Sequence, residues 1–161
     1  MVYNSDSVEN ERRVRVIIYY KHNRNPYFLL LDRRSEIHPG WEFVKGDFDE
    51  KKDKTLEDTL YREVLEETGL TKEDFIFKPV KFDLNLPSNF LTYIDGVQAV
   101  NYLLEVGYPP PRVKPSEEHI RVSWFDPFKT FLKIGNRSTE RSGDLMIFPR
   151  VFLSAQDMGY L

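Results

Sequence analysis

The sequence predicts an α/β fold, a mixed sheet with helices on both sides. Three observations carry this. Before residue 45 the chain is rich in strand-like runs of β-branched and aromatic residues. One segment, 56–68, then switches to a helical period and stops at a glycine. Strand-like segments return after it, followed by two helical stretches. The 161 residues suit one domain spanning 1–161, with 1–11 a loose polar lead-in.

The first strand is expected at "RRVRVIIYYK" (12–21), where alternation passes into a continuous apolar run. "HNRNP" (22–26) is a turn signal, and "YFLLLDRR" (27–34) completes a hairpin. "HPG" (38–40) breaks the chain before a short strand "WEFV" (41–44), and "DFDEKKDK" (47–54) has no apolar period and reads as a loop. Thr55 is an N-cap with Asp58 as its reciprocal partner. Leu60 and Val64 define the apolar side of the helix, extended by Tyr61 and Leu65, and Gly69 ends it. Strands are expected within 75–84 and 91–106, with Asp95-Gly96 either a bulge or a tight turn. The Pro-rich segment 107–118 is a loop, 119–125 a strand, and 126–134 a helix with Asp126 as cap and Pro127 at its first position. A polar loop (135–144) precedes a closing helix (145–158), with Pro149 either in the first turn or at a kink.

Composition narrows the function. A net charge of -3 disfavours an extended nucleic-acid partner. It permits a small phosphorylated ligand, because a bound cation reconciles an acidic site with an anion. No cysteine is present, which excludes disulfides, thiolate nucleophiles and sulfur-ligated metals. The N-terminus lacks the apolar core of a signal peptide, and no apolar run approaches bilayer length; a cytoplasmic protein is the expectation.

The informative stretch is "YREVLEETGL" (61–70). Glu63, Glu66 and Glu67 stand at i, i+3 and i+4 and so share one helical face, with Leu60, Val64 and Leu65 left for the sheet. Such a cluster is either a solvated face with ion pairs, Arg62 reaching Glu66, or a site for a hard cation such as Mg²⁺ or Mn²⁺. Spacing alone leaves both readings open.

"REVLEETGL" (62–70) resembles the second half of the Nudix box, R-E-U-x-E-E-x-G-U, in which U is aliphatic, and meets every specified position. Gly46 resembles the opening glycine of the full box, G-x(5)-E-x(7)-R-E-U-x-E-E-x-G-U. The segment between Gly46 and Arg62 is two residues too long, and Lys54 stands where the box places a glutamate. Asp53 or Glu50 is then the substitute acid. The resemblance implies a Nudix α/β/α sandwich. It implies Glu63, Glu66, Glu67 and Gly46 as the metal site for Mg²⁺ (or Mn²⁺), Arg62 as the residue holding a glutamate in place, and Gly46 as a sharp backbone turn. The implied activity is hydrolysis of a nucleotide pyrophosphate.

The flanks bear on the substrate. "GWEFVKG" (40–46) resembles the W-x-x-P-K-G segment of dinucleoside polyphosphate hydrolases, inositol pyrophosphate hydrolases and decapping enzymes, with Val44 in place of proline. This makes Lys45 a candidate for the phosphate chain. "EHIRVSW" (118–124) resembles the E-H-x(4)-W segment of diadenosine tetraphosphate hydrolases, with Glu118 the candidate base and Glu117 second. Arg33 and Arg34 are candidate phosphate contacts. Tyr93, Tyr108 and Phe148 are candidate base-stacking residues. The reading is a dinucleoside polyphosphate hydrolase. Nucleoside triphosphates, nucleotide sugars, capped RNA and a non-catalytic nucleotide-binding regulator are the alternatives.

Overall fold

The computed structural model describes residues 13–33, 40–84, 99–135 and 143–161. The Asp95-Gly96 feature, Arg34 and Tyr93 lie outside them. Strands β1 (Arg13–His22) and β2 (Asn25–Arg33) form a hairpin through Asn23 and Arg24. Both turn residues have positive φ, 50° and 67°, the backbone that a two-residue hairpin turn requires. Strands β3 (Gly40–Glu42) and β4 (Val44–Asp47) follow, then helix α1 (Leu56–Thr68) and a 3₁₀ turn at Lys72–Asp74. Strands β5 (Val80–Phe82), β6 (Val100–Glu105) and β7 (His119–Phe125) precede helices α2 (Pro127–Gly135) and α3 (Asp144–Asp157).

The strands make one seven-stranded mixed sheet. β1 lies against β6 in parallel and against β2 and β4 antiparallel; β6 also pairs with β5, and β2 with β3 and β7. β1 and β2 pair only near their turn, from Tyr19↔Phe28 to His22↔Asn25. Farther along, β4 takes the edge of β1 (Arg13↔Asp47 to Val16↔Val44), while β3 takes that of β2 (Leu31↔Glu42 to Arg33↔Gly40). The sheet therefore splits into two arms. The expected single strand 41–44 is two strands, because the chain crosses from one arm to the other at Phe43.

Two apolar layers make the sandwich. Val14, Val16, Ile18, Leu29 and Leu31 face Leu60 and Val64 of α1. Ile17, Tyr19, Phe28 and Leu30 face Ile134 of α2 and Ile147, Phe148 and Val151 of α3. Each fully buried side chain of this kind contributes about 1.5–3 kcal/mol. The α/β class and the α/β/α layering agree with the sequence.

Several expectations are corrected. Of the strand expected within 75–84, only 80–82 forms, with Phe75 making a lone bridge to Val106; Pro79 lacks the N–H a ladder needs. Within 91–106, the described strand is Val100–Glu105. Leu65 is 51% exposed, so it does not extend the apolar face of α1. α3 begins at Asp144, and Pro149 lies inside it beyond the first turn. Phe148 is buried among Phe28, Phe43, Phe131 and Phe152, which makes it core and removes it from the stacking candidates.

Candidate active site

Helix α1 starts and stops where its sequence demands. The Thr55 hydroxyl accepts from Asp58 N–H at 3.2 Å, and the Asp58 carboxylate accepts from Thr55 N–H at 3.1 Å. Gly69, at φ 76°, donates its N–H to the Leu65 carbonyl. Leu60 and Val64 seat the helix on the sheet; Glu67 lies on the same stripe and is itself buried. This fixed seating lays Glu63 over β4 and aims Glu67 at β7.

The overlong loop before the helix resolves into a compact turn. Asp49 C=O accepts from the amides of Lys52 and Asp53 at 3.0 and 2.7 Å. The turn carries Asp53 to the guanidinium of Arg62: Nε donates to one carboxylate oxygen at 3.0 Å and Nη2 to the other at 2.8 Å. Asp53 also accepts from Asp49 N–H and the Thr59 hydroxyl. Hydrogen bonds from Arg62 hold its carboxyl well below the usual carboxylate range, and those of Asp49 and Thr59 act in the same direction. Of the two substitute acids, Asp53 is the one paired with Arg62. Glu50 stands on the cavity wall.

Arg62 is the hub of the site. Nη2 donates to Asp47 C=O at 2.9 Å, Nη1 to Glu63 Oε1 at 2.8 Å, and Glu66 lies 3.6 Å from Nη1. Burial pushes the Glu63 carboxyl up to about 7, with Arg62 opposing. Gly46 does not make the sharp turn expected of it. It is a regular residue of β4, and its missing side chain has another reason: a Cβ there would overlap the Glu63 carboxyl group.

His119 joins helix to sheet. Its Nδ1 is 2.7 Å from Glu67 Oε2, and its Nε2 is 3.1 Å from Glu42 Oε1 on β3. Burial works against a charged ring, but the hydrogen bonds to Glu42 and Glu67 outweigh it and hold the pKa up at about 9. The ring is therefore an imidazolium at neutral pH. Ser116 Oγ–H adds a bond to Glu67 at 3.3 Å.

These groups surround an open cavity of about 890 Å³ at the split between the arms. Glu63, Glu66, Glu67 and Glu118 line it together with Arg33, Lys45 and Lys51. Glu118 is exposed at its edge. Arg33 ends β2 on the wall, and no described residue pairs with its guanidinium. Lys45 is held by Asp144 at 2.7 Å and lies 3.7 Å from Glu42; burial lowers its pKa while Asp144 opposes. Tyr108 is not on the cavity wall: it is 56% exposed and stacks on His22 at the hairpin end.

Asp144, Arg15, Asn101 and Glu42 were not anticipated from sequence. Arg15 left one signal, a charged residue within the apolar run of β1. Asp144 left none, because its partner Arg15 is 129 residues away.

The cavity groups suit a hard cation chemically. The candidate side-chain donors are all carboxylate oxygens, and Gly46 leaves Glu63 room against the sheet. As the side chains stand, no three His, Asp or Glu among the described residues converge on one point. Glu63 is turned to Arg62 and Glu67 to His119.

Fold and site together define an α/β/α protein with a carboxylate helix laid over a split mixed sheet. The NUDIX domain family matches over residues 9–141, and the chain belongs to that family, whose hydrolases act on phosphorus-containing acid anhydrides. The fold is similar to that of a Caenorhabditis elegans Ap4A hydrolase in a binary complex, with a TM-score of 0.58 at 20% identity over 89% of this chain and 97% of the other. It is also similar to the NUDIX domain of Shewanella oneidensis NrtR complexed with ADP ribose, with a TM-score of 0.60 at 14% identity over 95% and 99%. A possible asymmetric Ap4A hydrolase from Jonesia denitrificans gives 0.61 at 16% identity over 92% and 96%. No curated protein sequence matches. No helix among the described residues is long and apolar enough to cross a membrane.

Proposed function

We propose that the chain is a Mg²⁺-dependent pyrophosphohydrolase that cleaves a dinucleoside polyphosphate such as diadenosine tetraphosphate. The observation that carries the reading is the cavity of about 890 Å³, near the upper end for ligand pockets, with carboxylates on one wall and cations beside them. A long phosphate chain suits both: Arg33 and Lys45 meet its oxygens directly, and the glutamates would hold the divalent cations that neutralise it. The E-H-x(4)-W and K-G segments, and the fold shared with Ap4A hydrolases, point the same way.

Glu63, Glu66 and Glu67 are the residues that would hold Mg²⁺, which when bound neutralises phosphate charge and lowers the pKa of a water. Arg62, fixed by Asp53, sets the direction of Glu63. Arg33 and Lys45 orient the phosphate chain for attack. Glu118, a carboxylate at the cavity edge, accepts the proton of the attacking water.

The test is product analysis with Mg²⁺ on a panel of diadenosine tetraphosphate, ATP, ADP-ribose and capped RNA, run in H₂¹⁸O. Diadenosine tetraphosphate is expected to have the highest kcat/KM, with ¹⁸O in a single product phosphate. A preference of tenfold or more for another substrate overturns the substrate assignment, and tight binding without turnover overturns the enzyme.

A further inference from the structure

We infer that Asp144 is a positioning residue for the reaction: from the first turn of α3 it fixes the Lys45 ammonium at the split of the sheet. The inference rests on the reading that Lys45 faces the phosphate chain. A carboxylate in a first helical turn ordinarily serves its own helix, by the dipole or by a bond to a nearby amide. Asp144 reaches beyond its helix. Its N-cap neighbour Gly143 makes no side-chain cap, and three bonds to the Asp144 carboxylate come from the sheet and the strand connection. Oδ1 accepts from Arg15 Nε at 2.7 Å; Oδ2 accepts from Lys45 Nζ at 2.7 Å and from Phe43 N–H at 3.2 Å.

The sheet register explains why two cations meet there. Arg15 on β1 is paired across the ladder with Lys45 on β4, so both side chains leave the same face. That face is the one covered by α3. Arg15 and Asp144 are fully buried, and Arg15 Nη1 donates further to Asn101 Oδ1 at 2.8 Å. Without Asp144 the two neighbouring cations would repel at short range in a medium of low dielectric. With it, Arg15 is held in the core while Lys45, whose side chain keeps 15% exposure, reaches the cavity wall and comes within 3.7 Å of Glu42 from the other arm. The Lys45 charge is thereby fixed before an anion arrives, and its reorientation is no part of the reaction. Asp144 is not on the cavity wall, so its effect on the site passes through the partners it holds, and Lys45 is the charged one among them that lines the cavity.

A double-mutant cycle tests this, read in two ways: kcat/KM on the best substrate of the panel, and the affinity of inorganic tripolyphosphate with Mg²⁺ by calorimetry. Lys45→Met is expected to cost about 100-fold in kcat/KM. Asp144→Asn is expected to cost roughly 10–100-fold, but close to nothing when Lys45 is already Met. Tripolyphosphate affinity should follow the same non-additive pattern. If Asp144→Asn fails to fold with Arg15 left uncompensated, the Arg15→Gln/Asp144→Asn pair removes both buried charges together and enters the cycle in its place. Multiplying effects in the two backgrounds, or a lower Tm with unchanged kcat/KM and affinity, would overturn the inference. The two readouts separate it from the proposed function. A protein that hydrolyses none of the panel but shows the coupled loss of tripolyphosphate binding refutes the enzyme reading alone.

Discussion

Asp53 and Arg62 form a two-oxygen pair, with Nε at 3.0 Å and Nη2 at 2.8 Å, across the loop that precedes the carboxylate helix. The pair fixes the guanidinium that in turn holds Glu63. Asp53→Asn keeps the shape and removes the charge. It is expected to lower kcat/KM by roughly 10–100-fold and to lower Tm. Adding Lys54→Glu should restore neither, because the charge must come from the position that reaches Arg62. Recovery in the Asp53→Asn/Lys54→Glu double variant would show that the loop tolerates either register.

The same carboxylate makes stability depend on acid. The pKa of Asp53 is depressed in the folded state, while the unfolded chain holds it near 3.9. Above that value both states are ionised and the contribution is complete. As pH falls below it, only the unfolded state takes up the proton, so the contribution shrinks and is lost once the folded carboxyl protonates. The Tm gap between wild type and Asp53→Asn should therefore be widest at neutral pH and close steadily below about pH 4. A gap that stays constant from pH 7 to pH 3 would contradict the pairing.

Gly46→Ala separates stability from activity. The backbone at 46 is ordinary strand, so alanine carries no conformational penalty there; the obstacle is the Glu63 carboxyl group. Stability should change by about 1 kcal/mol or less, with the Glu63 side chain displaced. Activity should fall by a far larger factor than stability. Unchanged kcat/KM in Gly46→Ala would mean that Glu63 need not lie against β4.

Glu67→Gln tests the cation site by two independent measurements. Wild type should gain Tm with rising Mg²⁺, since a ligand that binds only the folded state stabilises it. The variant should show a reduced gain and lose about 100-fold or more in kcat/KM. A variant with intact activity would remove Glu67 from the metal site and leave it as a partner for His119 and Ser116.

The order of elements and the placement of α1 were legible because they rest on local signals: a capping box, a terminal glycine and a period of apolar residues. The glutamates could be found for the same reason, since three of them lie within five residues of one helix. The sequence offers two substitute acids, Asp53 and Glu50, and the turn made by Asp49 C=O, which decides between them, leaves no mark on it. Leu65 shows the limit of periodicity: it lies next to Val64, yet a small rotation about the helix axis puts it in solvent and Glu67 against the sheet. The Asp144–Arg15–Lys45 cluster was beyond reach, because its members come from three elements whose proximity depends on strand register.

The hairpin turn lies at the opposite end of β1 from β4, well away from the cavity. Arg24 is held there at φ 67°, a backbone that glycine adopts freely and arginine does not. Evolutionary tuning and engineering thus have room at the tip that they lack at the split. Arg24→Gly would create an Asn-Gly turn, and a gain of about 0.5–1 kcal/mol is expected, with kcat/KM unchanged. Durability and chemistry in this fold are set at opposite ends of one strand and can be adjusted separately.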